Sequence, residues 1–299
     1  MEFKINPDLI AFTEELAFVA SGNTLYCIGC DGLRWKKCFI TTFYKDPYSD
    51  VKITALDAKK GYVAAGTNFM DGKLYLMTSE GNKIWEHQFA TVVSLGWRPE
   101  DVTSVSIGDG FIAVSTQFMH DYVYAYTFRR KRLFSHRFNR DVLKVFAGSR
   151  ITVLTDNSFS VFSKQGKLIY SRECRVSDVC EFQDKIVVCS KQTDFSNGVL
   201  TVPCEFAKTC GNGMNLCLMS GKTVRILDEN LNEVWKAKFN DTVKYVFYRE
   251  DEIFVATNKE VFRVVDGEAK LLTKTRGKIV GICSFGIFCY DRTLKIVPL

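Results

Sequence analysis

Four short runs follow one another between residues 51 and 89: Val51-Lys-Ile-Thr-Ala-Leu, Tyr62-Val-Ala-Ala, Lys73-Leu-Tyr-Leu-Met and Gly81-Asn-Lys-Ile-Trp-Glu-His-Gln-Phe. The runs are rich in β-branched and aromatic residues, which favour strands. Asp71-Gly72, between the second and third runs, is typical of a hairpin turn. This stretch therefore predicts four antiparallel strands within about 40 residues.

The same pattern recurs along the chain. A second copy reads Val102-Thr-Ser-Val-Ser-Ile, Phe111-Ile-Ala-Val, Tyr122-Val-Tyr-Ala-Tyr and Arg132-Leu-Phe-Ser-His-Arg-Phe, and further copies begin near Leu9, Val142, Val176, Val243 and Ile279. Helical periodicity is almost absent. Four antiparallel strands repeating about every 40 residues are typical of the blades of a β-propeller. We therefore predict an all-β protein, a single β-propeller domain over residues 1–299.

The number of blades depends on residues 176–241. They hold either one blade with an inserted hairpin near 194–213 or two blades, one of which lacks a strand. Seven blades are favoured, and eight are possible. The last copy, 279–297, supplies only three strands, so we expect an N-terminal strand near 2–5 to join that blade, remove both free sheet edges and close the ring.

An aromatic residue follows the turn before the fourth strand in several copies. The turns read Asp31-Gly-Leu-Arg-Trp35, Glu80-Gly-Asn-Lys-Ile-Trp85, Gln165-Gly-Lys-Leu-Ile-Tyr170 and Leu231-Asn-Glu-Val-Trp235. This pattern resembles the tryptophan-docking repeat of the quinoprotein-like (PQQ-type) propellers, and the blade length is similar to that of WD40 propellers. The resemblance implies that each ring packs between neighbouring blades. The chain lacks the adjacent cysteine pair of quinone-dependent dehydrogenases, so no cofactor is expected.

The composition is that of an ordinary globular protein, with 46% hydrophobic and 25% charged residues in 299. An aromatic share of 13% argues against disorder. No run of about 18 apolar residues is present that could span a membrane, and no secretory signal follows Met1. We therefore expect a cytoplasmic protein without a membrane partner.

Signals of chemistry are few. The three histidines, at 87, 120 and 136, are distant in sequence, and no Ser/His/Asp arrangement, phosphate loop or carboxylate pair is evident. The eleven cysteines are expected to be mainly buried small side chains, with their oxidation state left open. Cys27, Cys30 and Cys38 resemble a zinc knuckle, but residues three apart in a strand point to opposite faces. We expect no metal and favour a non-enzymatic protein; a ligand or catalytic site at the central channel is a further alternative.

The leading functional hypothesis concerns the loops on one face of the propeller, where the fourth-to-first and second-to-third strand connections meet. Five of these loops, 40–50, 67–70, 91–101, 117–120 and 193–195, display apolar and aromatic residues, and the first four are expected to converge above blades one to three. Such side chains are typical of binding hot spots, unless the loops fold down over their own blades. This surface predicts a scaffold that binds a protein partner or larger complex. The predicted partner-binding residues are Phe43, Tyr44, Tyr48, Phe69, Met70, Trp97, Arg98, Phe118, Met119 and His120.

The second hypothesis concerns the net charge of +6. Residues 129–140 contain six basic residues and no acidic one, so the rest of the chain is neutral. The run is expected at a hairpin turn on the opposite face, where it would either bind phosphates of a nucleic acid or an acidic protein surface, or form a solvated hairpin tip. The predicted phosphate-binding residues are Arg129, Arg130, Lys131, Arg132, Arg137 and Arg140.

Overall fold

A computed structural model describes residues 1–40, 50–94, 96–191, 193–210, 214–249 and 252–299. These residues form strands, turns and bends, which confirms the prediction of an all-β protein. Across the described ranges no helix is long and apolar enough to cross a membrane. The chain divides into two compact units: Pro7–Glu173, and Cys174–Leu299 together with Met1–Asn6. The prediction of one domain stays a prediction.

Apart from β1 (Glu2–Phe3), which belongs to the other unit, the first half of the chain forms four blades and one hairpin in the Pro7–Glu173 unit. Blade 1 comprises β2 (Leu9–Phe12), β3 (Ala17–Ser21), β4 (Thr24–Gly29) and β5 (Gly32–Cys38); blade 2 comprises β6 (Ile53–Lys59), β7 (Tyr62–Thr67), β8 (Lys73–Thr78) and β9 (Lys83–Gln88). A separate hairpin consists of β10 (Ala90–Val93) and β11 (Gly96–Pro99). Blade 3 comprises β12 (Asp101–Ile107), β13 (Phe111–Gln117), β14 (Asp121–Thr127) and β15 (Arg132–Phe138); blade 4 comprises β16 (Val142–Ala147), β17 (Ile151–Thr155), β18 (Ser158–Phe162) and β19 (Leu168–Glu173).

The other unit also forms four blades. Blade 5 comprises β20 (Asp178–Phe182), β21 (Lys185–Ser190), β22 (Asp194–Ser196) and β23 (Val199–Pro203); blade 6 comprises β24 (Phe206–Cys210), β25 (Asn215–Ser220), β26 (Thr223–Leu227) and β27 (Glu233–Lys238). Blade 7 comprises β28 (Tyr245–Arg249), β29 (Glu252–Ala256), β30 (Glu260–Val265) and β31 (Glu268–Lys274); blade 8 comprises β32 (Lys278–Cys283), β33 (Gly286–Asp291), β34 (Thr293–Val297) and β1.

The described residues therefore form eight four-stranded sheets, the number that the sequence allowed but did not favour. The difference lies in residues 176–241, which fold as two complete blades. The segment expected as an inserted hairpin, from residue 194 onward, supplies the two outer strands of blade 5 and the first strand of blade 6. Sequence periodicity missed this because β22 has only three residues.

Blade 5 has its strands in an unusual order. Strand β23 lies beside β21 and runs parallel to it, while β22 pairs antiparallel with β23 at the outer edge. Adjacent strands in the other blades are antiparallel, and parallel neighbours need a crossover connection instead of a tight hairpin. Blade 5 is therefore the one described sheet in which the second strand and its outer neighbour are not joined by a hairpin.

The N-terminal strand completes blade 8, as predicted. Glu2 pairs with Lys295 and Phe3 with Leu294, and the Met1 amino group donates a hydrogen bond of 3.0 Å to the Ile296 carbonyl. The pairing covers the edge of β34, which would otherwise expose unpaired backbone groups.

The docking role predicted for the aromatic repeat is confirmed for its three tryptophans. The indole Nε1 groups of Trp35, Trp85 and Trp235 each donate a hydrogen bond of 2.8 Å to a carbonyl in the turn before the fourth strand of the next blade. Trp35 also covers Gly81, which has φ +85° and whose Cα faces the ring so closely that a Cβ would lie 3.0 Å from it. Each tryptophan thus closes the boundary between two consecutive blades.

Burial explains why the sequence runs differ between strands. Strand β13 is buried from residue 111 to 116, because neighbouring blades cover both of its faces. The outermost strand β27 alternates between exposed and half-buried side chains along its second half. Continuous apolar runs therefore mark inner strands, and alternating runs mark outer ones.

Candidate functional site

The loop expected at 91–101 folds as the β10–β11 hairpin. In the register of this hairpin Val92 lies directly opposite Trp97, so both side chains share one face of the hairpin. They are 63% and 61% exposed, respectively. The β-branched Val92 and Val93 favour a strand, and Gly96 adopts the φ of +111° that its turn requires. The hairpin therefore presents a pair of large apolar side chains to solvent on a regular β-ladder.

The base of this hairpin is packed against the loop between β7 and β8. The Glu100 amide donates a 3.1 Å hydrogen bond to the Phe89 carbonyl, which closes the ladder. The Phe69 amide donates to the Asp101 carboxylate at 2.8 Å. A Cβ on Gly72 would lie 2.6 Å from the Cβ of Pro99, so only glycine permits this approach. The hairpin is thus braced at its root.

A buried carboxylate ties the same root to blade 3. Glu100 is 3% exposed and accepts hydrogen bonds of 2.5 Å from the hydroxyls of Thr91, in β10, and Thr116, in β13. Gln117 pairs with Asp101 in the adjoining ladder. The β13–β14 turn, which begins at Phe118, therefore starts beside the hairpin root.

The other predicted partner-binding residues differ in exposure. Phe69 is 47% exposed, and Phe118 and Met119 are 43% and 63% exposed. Met70 instead packs against the core of blades 1 and 2, which makes it a core contact and not a displayed side chain. Arg98 is half-buried, and the exposed His120 lies 3.0 Å from Arg137. Three of the predicted residues lie outside the described residues: Phe43, Tyr44 and Tyr48.

Sequence reasoning missed Val92. Its exposure and its position opposite Trp97 follow from the hairpin register, which was not predicted because residues 91–101 were expected to be a loop. The signal was present: Thr91-Val92-Val93 is a β-branched run three residues before Gly96-Trp97.

We define the hairpin surface as Phe69, Val92, Trp97, Phe118 and Met119.

The structure divides the predicted phosphate-binding run, which corrects the expectation of one cluster at a turn. Residues 129–132 lie at the β14–β15 turn, whereas Arg137 and Arg140 lie at the other end of β15. The five-residue step along β15 from Arg132 to Arg137 spans about 16 Å. Arg140 pairs with Glu173 at 3.1 Å and also binds Asn157. Phosphate binding stays a prediction for the four residues at the turn.

Arg130 and Arg132, at the β14–β15 turn, lie near His87 and affect its pKa. Tyr126 and His87 are joined through the phenol oxygen and Nε2 at 3.1 Å, and Arg130 approaches His87 Nδ1 at 3.4 Å. Burial, followed by the charges of Arg130 and Arg132, lowers the pKa of His87, because each disfavours the imidazolium. Burial also raises the pKa of Tyr126 to about 12.

Removal of the Arg130 charge should raise the pKa of His87. In Arg130→Gln the imidazolium no longer faces that cation, so protonation becomes more favourable. An NMR titration of the His87 ring protons would measure the change. Arg137→Gln is the control, since Arg137 contacts His120 and should leave His87 unchanged. An unaltered His87 pKa in Arg130→Gln would contradict the expectation.

A buried charged cluster includes Asp71 of the 68–72 loop. Asp71 is fully buried, and its carboxylate lies 3.3 Å from the Lys73 ammonium. The hydroxyls of Thr67 and Tyr75 donate to the other carboxylate oxygen at 3.1 and 2.7 Å. Burial and the bond to Asp71 raise the pKa of Tyr75. Solvent does not reach Asp71, and its contacts with Thr67, Lys73 and Tyr75 hold the loop in place.

Within the part of the chain that the structure describes, no group of three or more His, Cys, Asp or Glu side chains could hold a metal ion. The zinc-knuckle residues differ in exposure, with Cys27 buried and Cys30 and Cys38 exposed. Two exposed groups of chemical interest are the hairpin surface and the basic residues 129–132 at the β14–β15 turn.

Comparison with known proteins identifies the fold. No family model and no curated protein matches the sequence. Among solved structures, the chain is similar to the C-terminal WD40 domain of Sif2 (TM-score 0.68, 10% identity, 100% of this chain and 97% of that one) and to the Dos1 propeller (TM-score 0.67, 10% identity, 98% and 93%). It is also similar to a chain of the Mitotic Checkpoint Complex (TM-score 0.56, 9% identity, 100% and 93%). At these identities the likeness concerns the fold alone, and the chain has the β-propeller fold that its repeats predicted.

Proposed function

We propose that this protein is a non-enzymatic interaction module that binds a protein partner through the hairpin surface. The observation that carries the proposal is the cross-strand pair of Val92 and Trp97, each more than 60% exposed on an ordered hairpin. Phe69 and Phe118 lie in the two loops that meet the root of that hairpin at Asp101. Large apolar side chains displayed together are typical of a binding site.

The fixed root of the hairpin favours tight binding of a partner. The buried Glu100 carboxylate and the Asp101 hydrogen bond hold the hairpin root before any partner arrives. Binding then costs less conformational entropy than it would for an unpaired segment, because the two described strands of the hairpin are already paired. Trp97, near the tip, supplies a large apolar area that a partner can desolvate.

The shape of the hairpin indicates the shape of the surface that a partner must offer. A two-stranded hairpin with an apolar pair near its tip is convex, so it requires a concave, apolar pocket on another protein. The Mitotic Checkpoint Complex shows that a chain of this fold can be part of a protein assembly. The proposed partner is therefore a protein, or a larger complex, with a pocket that accepts Trp97.

Affinity purification of the tagged wild-type protein from its own organism, with identification of what copurifies, would supply the partner. Trp97→Ser should then weaken the measured affinity by about 30-fold, as expected for a tryptophan hot spot. Val92→Ser should also weaken it, because Val92 shares the hairpin face. Both changes should leave the melting temperature nearly unchanged.

Phe195→Ser is the matched control, since Phe195 is a 58% exposed aromatic residue that belongs to the other unit. It should bind the partner as the wild type does. If Trp97→Ser and Val92→Ser retained full affinity, or if Phe195→Ser alone lost it, the hairpin surface would not be the binding site.

A further inference from the structure

Two cysteines of blade 5 lie unusually close together. The Sγ atoms of Cys189 and Cys204 are 2.7 Å apart. Non-bonded heavy atoms make their best contact at about 3.5–4.0 Å, and a disulfide bond is about 2.05 Å long. A movement of less than about 1 Å therefore separates the two thiols from a covalent bond.

The strand arrangement explains why the two thiols meet. Cys189 pairs with Val202 across the parallel ladder, and Cys204 lies two residues beyond Val202, so the two cysteines start on the same face of the sheet. Strand β23 ends at Pro203, which frees the next residue from the ladder. Both cysteines belong to the apolar cluster between blades 5 and 6.

We propose that Cys189 and Cys204 form a reversible disulfide that fastens the irregular blade 5. Oxidation by a low-molecular-weight disulfide such as oxidised glutathione balances as two thiols and one disulfide giving the protein disulfide and two glutathione thiols. In the first exchange a protein thiolate attacks the oxidant and releases one glutathione thiol. In the second, the other protein thiol loses its proton, attacks the mixed disulfide and releases the second.

The accessibility of the two sulfurs sets the order of these steps. Cys204 is half-buried and can meet an oxidant from solvent, whereas Cys189 is fully buried. The adjacent Cys204 thiol and burial also raise the pKa of Cys189, so Cys189 is the less reactive of the two towards an external disulfide. Cys204 is therefore the attacking residue, and Cys189 resolves the mixed disulfide from within the core.

The bond would compensate for the strand order of blade 5. Strands β21 and β23 are neighbours but are separated in sequence by the excursion through β22. A link between Cys189 and Cys204 closes a loop that contains this whole excursion, and cross-links of this kind reduce the freedom of the unfolded or opened chain. The disulfide thus links the second strand of blade 5 to its outer neighbour, as a tight hairpin does in the other described blades.

Trypsin allows a direct test, because cleavage after Lys185, Lys191 and Lys208 places Cys189 and Cys204 in separate peptides, 186–191 and 192–208, with one cysteine each. The native protein would be incubated with oxidised glutathione, alkylated, digested without reductant and analysed by mass spectrometry. We expect the two peptides to be joined and the bond to be lost on reduction. The oxidised protein should be cleaved by a protease within residues 190–199 on the order of tenfold more slowly than the reduced one.

Cys204→Ser should abolish the linked peptide and the protease protection, and Cys189→Ala should do the same if the serine variant folds poorly. Cys30→Ser is the matched control. Cys30 is exposed and distant in sequence from Cys189 and Cys204, so this variant should still form the linked peptide and show the protease protection. Isolation of Cys204 only as its glutathione adduct, or of Cys189 joined to Cys180 in peptide 176–185, would overturn the proposal. Equal protease cleavage of the linked and reduced forms would overturn the fastening role.

Discussion

Trp85→Ala is expected to lower the free energy of unfolding by about 3–5 kcal/mol. Trp85 is 8% exposed and belongs to the core cluster between blades 2 and 3. Its removal leaves a cavity at that boundary and deprives the Phe128 carbonyl of the indole donor. The lost burial, the cavity and the missing hydrogen bond all act in the same direction. Chemical denaturation monitored by circular dichroism would measure the change.

Trp97→Ala provides the contrast. The Trp97 side chain is 61% exposed and is not part of a core cluster in the described residues, so its truncation should change the free energy of unfolding by no more than about 0.5–1 kcal/mol. If the loss in Trp85→Ala were as small as the one expected for Trp97→Ala, Trp85 would not join the blades as the structure indicates. Gly81→Ala should also destabilise, because it strains φ and crowds Trp35.

Lys73→Met is expected to lower the free energy of unfolding by about 3–5 kcal/mol, because it leaves the buried Asp71 carboxylate without its cation. The Lys73 side chain is 8% exposed and lies 3.3 Å from the fully buried Asp71 carboxylate. The hydroxyls of Thr67 and Tyr75 would remain on the carboxylate, but they carry no compensating charge. Denaturant unfolding of the variant would measure the loss.

The double variant Asp71→Asn/Lys73→Met distinguishes charge from packing. Removal of both charges should restore a large part of the stability lost in Lys73→Met, because no buried carboxylate then lacks a cation. Glu86, 3.6 Å from Lys73, is partly exposed and needs no buried partner. If the double variant were less stable than Lys73→Met, the loss would arise from packing, and the charge argument would be wrong.

The aromatic repeat shows how far local sequence reasoning reached in this protein. Trp35, Trp85 and Trp235 follow their turns by three or four residues, and each docks on the next blade as predicted. The N-terminal strand was also predicted to join the last blade, because that blade was one strand short. Both features depend on spacing within one repeat, which the chain itself displays.

The hairpin surface was only partly foreseen. Phe69, Trp97 and Phe118 were identified as exposed aromatic residues, whereas Val92 was missed and Met70 was placed on the surface although it packs in the core. Exposure depends on what lies above a residue, and a loop sequence does not contain that information. The basic run is divided for a different reason: strand β15 places residues 129–132 at one end and Arg137 and Arg140 at the other.

The sequence alone determined the strand content, the four-strand repeat and the aromatic docking, because the alternation of side chains and the turn residues are local properties of the chain. Only the tertiary structure decided the count of eight sheets, the strand order of blade 5, the Val92–Trp97 pair and the approach of Cys189 to Cys204. These features depend on which strands become neighbours. That choice is made by burial and hydrogen bonding between distant segments, which no single stretch of sequence specifies.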